Sequence, residues 1–101
     1  MKPSQIERTY RTAPHALFGA CLTALAQMRA QIELHDVERG TIVAVIGGGP
    51  LDPATELSLR ITQADAEHAS LAAASKPHKR GGDRRALATL VQMVDRLLAQ
   101  A

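Results

Sequence analysis

Thr55-Glu56-Leu57-Ser58-Leu59-Arg60-Ile61-Thr62 alternates without a break: Thr55, Leu57, Leu59 and Ile61 fall on one side, and Glu56, Ser58, Arg60 and Thr62 on the other. A period of two marks a strand with one face on a core and one face in water. Such a strand needs antiparallel neighbours and an apolar cover over its inner face, so the flanking segments decide the fold.

Upstream, Thr41 to Ile46 is β-branched almost throughout and apolar on both sides, with Ile42, Ala44 and Ile46 against Val43 and Val45. That pattern predicts a strand that is central or has its second face covered. Before it, Ile32 and Leu34 alternate with Glu33 and His35. Asp36-Val37-Glu38-Arg39-Gly40 then supplies turn chemistry, with Gly40 available for positive φ. Gly47 to Pro53, with three glycines and two prolines, reads as a loop. Downstream, Gln63 to Glu67 makes a turn, and residues 68–75 give a fifth strand with Leu71 and Ala73 inward. The alanines of that segment suit a helix equally well on propensity alone. Near the start, residues 5–11 alternate with Ile6, Arg8 and Tyr10 on one side.

Two segments show helical spacing instead. In residues 13–29, Leu17, Phe18, Cys21, Leu22, Leu25 and Met28 form one stripe, with Thr12 as the expected cap and Pro14 in the first turn. In residues 84–99, Leu87, Leu90, Val91, Val94, Leu97 and Leu98 do the same behind Asp83 as N-cap. The chain is therefore expected to form one α+β domain over residues 1–101, ordered β-α-β-β-β-β-α. Its antiparallel sheet carries both amphipathic helices on one face. By alternation the open face then shows Glu33, His35, Val43, Val45, Glu56, Ser58, Arg60, Thr62, Ser70, Ala72 and Ala74.

Tyr10, the Leu17–Leu25 helix, Gly40-Thr41-Ile42, the Leu57/Leu59/Ile61 strand, and Ser75 ahead of a Gly-containing loop and last helix form a pattern. It resembles helix-grip and TATA-binding-protein-like domains, and small bacterial domains of unknown function that are often lipoprotein-linked. The resemblance implies a binding or accessory module rather than a catalyst.

Composition narrows the chemistry. The 101 residues are 46% apolar, enough for a modest core without staples. Tyr10 and Phe18 are the only aromatics, so stacking on bases or sugars is poorly supplied. The lone Cys21 excludes an internal disulfide and reads as a small core hydrophobe. No apolar run reaches the ~20 residues a membrane span needs. No signal-peptide core follows Met1-Lys2-Pro3-Ser4, so the chain as written is expected in the cytoplasm.

Gly47-Gly48-Gly49 precedes Pro50 and a strand, whereas phosphate and dinucleotide loops open a helix. His15, His35, His68 and His78 fall on four different elements, without metal-ligand partners at ligand spacing. No nucleophile elbow or triad is marked. These readings predict a non-enzymatic module with no catalytic residue, no metal and no cofactor.

Two candidate surfaces follow. The first is an interface built on Val43, Val45, Ala72 and Ala74, on a face that no helix covers, predicting a homo-oligomer. The second is the basic stretch Lys76 to Arg85, which holds five Lys/Arg and one Asp, a charge of +4; the rest has seven Lys/Arg against nine Asp/Glu, a charge of −2. Lys79, Arg80, Gly82, Arg84 and Arg85 around a helix start would make a site for an anionic ligand or nucleic acid. As a solvated loop, the same stretch would only aid solubility.

Overall fold

The computed structural model describes residues 4–47, 54–77 and 84–99. The order is β1 (Ser4–Tyr10), α1 (Pro14–Gln27), β2 (Gln31–Asp36), β3 (Thr41–Ile46), β4 (Thr55–Gln63), β5 (Ala69–Pro77) and α2 (Arg84–Ala99). This is the α+β arrangement that the periodicities predict. All pairings are antiparallel and the strands lie in the order β1-β5-β4-β3-β2. The perfectly alternating strand, β4, is the central one. The first strand closes the sheet by pairing with the last, Ile6 opposite Ala73 and Tyr10 opposite Ala69.

The core is a single, mostly aliphatic layer between one sheet face and the two helices. Thr55, Leu57, Leu59 and Ile61 from β4, Ile42 and Ala44 from β3, and Ala69, Leu71 and Ala73 from β5 are all buried. Leu17, Phe18, Cys21, Ala24 and Leu25 of α1, and Ala86, Leu87, Leu90 and Val94 of α2, cover them. Residues 69–77 are a strand despite their alanines. Paired on both edges, β5 places Ala69 and Ala73 inward, where small side chains let the helices approach the sheet. Tertiary pairing overrides local propensity here. No described helix is long and apolar enough to cross a membrane.

Local chemistry sets the ends of α1 differently from the sequence reading. The N-cap is Ala13, not Thr12, and it makes no side-chain cap hydrogen bond. Pro14 occupies the first helical position and holds the residue before it extended, at φ −75° and ψ 150°. The helix ends at Gln27 rather than 29 because Ala30 N–H donates to Leu25 O at 2.9 Å and Arg29 N–H to Ala26 O at 3.0 Å. That is a Schellman cap, and Arg29 takes its left-handed position at φ 59°, where glycine is usual. Arg29→Gly is therefore expected to stabilise the fold by about 0.5–1 kcal/mol, the relieved φ outweighing the added freedom of the unfolded chain. A denaturant melt with an unchanged or lowered midpoint would refute it. The Asp83 cap expected for α2 lies outside the described residues.

Candidate functional site

Among the described residues nothing covers the sheet face opposite the helices, and antiparallel register arranges its side chains in rows across the strands. Leu34, Val43, Ser58, Ala74 and Gln5 form one row, running from β2 to β1. Asp36, Thr41, Arg60, Ala72 and Glu7 form the next towards one end of the strands. Gln31, Val45, Glu56 and Lys76 form the next towards the other. Small Ser58, Ala72 and Ala74 leave a trough of about 770 Å³ over the first two of these rows, bounded by Gln5 and Glu7 on one side and Thr41 and Val43 on the other.

Val43, Val45, Ala72 and Ala74 all project from this face and are half-buried there. Two other expectations for the face are corrected by a β-bulge between Ile32 and Leu34 in β2. Glu33 is the extra residue at the bulge, and His35 pairs with Ile42 on the helix side. Leu34 therefore stands on the open face opposite Val43, half exposed at 50%. A bulge shifts every later residue of its strand to the opposite face, so simple alternation could not have placed Leu34. Gln5, Glu7, Thr41 and Lys76 also belong to the face and were missed. The first two come from a strand whose pairing partner is last in sequence, and Lys76 because β5 runs to Pro77 instead of ending at Ser75.

The charges on the face are sparse and mixed. Glu7, Asp36 and Glu56 stand against Arg60 and Lys76, which suits no polyanion. Among the described residues the ion pairs are Arg11 with Glu67, Arg39 with Asp36, and His68 with Asp65. Arg60 is exposed and takes part in none of them.

Other groupings do structural work. At the β4–β5 turn, Asp65 accepts a hydrogen bond from the Glu67 N–H at 2.8 Å and lies 2.8 Å from His68 Nδ1. The His68 hydrogen bond, then the Glu67 amide, hold its carboxyl below the usual carboxylate range. The pair fastens the hairpin. His15 lies on α1, His35 on β2 and His68 at this turn. Among the described residues no three His, Cys, Asp or Glu side chains converge on a metal position. Of the basic stretch, Lys79, Arg80, Gly82 and His78 lie outside the described residues. Arg84 and Arg85 open α2, and Lys76 is paired in register with Glu56 on the sheet.

No protein-family model and no curated protein matches the chain. Among solved structures, the fold is similar to a chain of the adenylate sensor from AMP-activated protein kinase, solved in complex with 5-aminoimidazole-4-carboxamide 1-β-D-ribofuranotide. The TM-score is 0.66 at 15% identity, over 86% of this chain and 93% of that one. Likeness at that identity is likeness of fold, and it spans nearly the whole of both chains.

Proposed function

We propose that the protein is a small non-catalytic binding module that self-associates through the open face of its sheet, akin in element order to helix-grip and TATA-binding-protein-like domains. The observation that carries this reading is the exposed Leu34 set beside Val43 on a face that neither described helix covers. A monomer gains nothing from an aliphatic pair on its solvent side, whereas burial between copies stabilises by roughly 25 cal/mol per Å². The fold neighbour belongs to a sensing assembly, which fits a binding role.

Sedimentation equilibrium at micromolar concentration should show a dimer. Five strands set four spacings of about 4.8 Å, roughly 19 Å across, so the interface is expected at the small end of the stable range. Val43→Lys should shift the protein to monomer with an unchanged far-UV spectrum. A wild-type monomer across that range would remove the reading.

A further inference from the structure

We infer that the two copies meet about a two-fold axis that crosses the strands directly over Ser58, with Arg60 of each copy paired to Glu56 of the partner subunit. The inference rests on self-association through this face and adds its geometry. On central β4, Glu56 and Arg60 lie on the open side, two residues before and two after Ser58, each about 6.8 Å from it along the strand. The charge pattern is thus odd about Ser58, and a two-fold operation can convert such a pattern into attraction.

Sheets that pack face to face align their strands to within about 30°. A two-fold axis in the interface then runs either along the strands or across them. An axis along β4 sets Arg60 on its own copy, Glu56 on its own copy, and Asp36 of β2 over Glu7 of the partner subunit. Like charges would meet at every charged position of the two charged rows except Lys76. An axis across the strands exchanges those two rows. Arg60 then meets Glu56 of the partner subunit twice, Asp36 meets Gln31 of the partner subunit, and no like charges oppose. The row on the axis meets itself, so Leu34 and Val43 bury against their own copies, and small Ser58 lets the sheets approach. Arg60, which takes part in no ion pair among the described residues, gains one.

Charge exchange tests this pairing. Arg60→Glu alone and Glu56→Arg alone should each weaken dimerisation by about tenfold or more, since each sets like charges together twice. Mixing the two variants should give a heterodimer close to wild-type affinity, and the double exchange should restore the homodimer. A second measurement does not depend on the charge variants: Val43→Cys, on the axis row, should cross-link to its own copy with a short bifunctional thiol reagent, whereas an axis along β4 would set it over Ala74 of the partner subunit. Single variants that dimerise like wild type, a mixture that stays monomeric, or a Val43→Cys dimer that does not cross-link would each overturn the axis. If Val43→Lys still abolishes the dimer in those cases, self-association through the face stands and only its geometry fails. A wild-type monomer would remove both.

Discussion

Gly40→Ala is expected to cost about 3 kcal/mol or more, a large share of the 5–15 kcal/mol that holds a domain of this size. Two independent penalties add at this residue. Its φ is +67°, in the left-handed region where an L side chain costs roughly 1–2 kcal/mol. It is also buried against β4, where the Ile61 N–H donates to Gly40 O at 2.7 Å, and a Cβ would overlap the Ile61 carbonyl oxygen. Backbone is what it would meet, so no rotamer change relieves the overlap; the β2–β3 turn or the central strand must move. A urea titration should show the midpoint falling with little change in slope, and Tm should drop by roughly 15 °C. Asn tolerates this φ better than Ala but carries the same Cβ. If Gly40→Asn is as damaging as Gly40→Ala, the close approach dominates; if it is nearly neutral, the dihedral does. Gly19→Ala is the control. Nothing lies within 4 Å of a Cβ there, so in the exposed face of α1 it should stabilise slightly. A Gly40→Ala protein with wild-type stability would refute the close approach.

Periodicity made most of this fold legible. Thr55 to Thr62 has one residue per pleat and no competing pattern, so its facing is fixed, and the stripes of α1 and α2 are equally plain. What periodicity cannot carry is a change of phase. The bulge at Glu33 adds one residue to β2 and moves Leu34 across the sheet, yet Ile32 and Leu34, two apart, read as one face. Caps failed for a related reason. Thr12 is the better capping side chain, but Pro14 fixes the backbone before it, and φ/ψ decides which residue is N-cap.

The candidate face was half legible. Thr41–Ile46 is apolar on both sides while both predicted helices lie on one, which pointed to an apolar patch on the other, and Val43 and Val45 stand there. Its partner on the neighbouring strand was hidden by the bulge, and its far edge by topology. No pattern inside residues 4–10 tells that they pair with residues 69–75, so Gln5 and Glu7 entered the face only with the register in hand. Glu56 and Arg60 were visible from the start on one side of one strand. Their relation to a symmetry axis needs the rows to either side.

Alkaline unfolding should begin near pH 9 and steepen towards pH 12, with Cys21 as its first cause. The thiol is fully enclosed by the apolar face of α1 and the sheet, and burial pushes its pKa from the ordinary 9.0 up to about 12. The folded protein then holds the thiol proton where the unfolded chain has released it. Stability is fully present below pH 9 and is lost as pH rises through the window, by about 1.4 kcal/mol per unit. Tyr10 acts in the same direction at higher pH. Burial of its hydroxyl first, then the nearby Asp95 carboxylate, push its pKa up. Cys21→Ala separates the two. It should lower stability at pH 7 by leaving a small void, yet flatten the onset of the profile around pH 9, where tyrosine is still mostly neutral in both states. The same burial makes the thiol slow to label at pH 8 and fast in denaturant, because the thiolate is the attacking form and neither it nor the reagent reaches the core. A wild-type profile that stays level to pH 11, or native labelling as fast as that of a free thiol, would mean that α1 does not pack with Cys21 inward. The core between Leu17, Leu25 and Leu71 would then have to be rebuilt around another face of that helix.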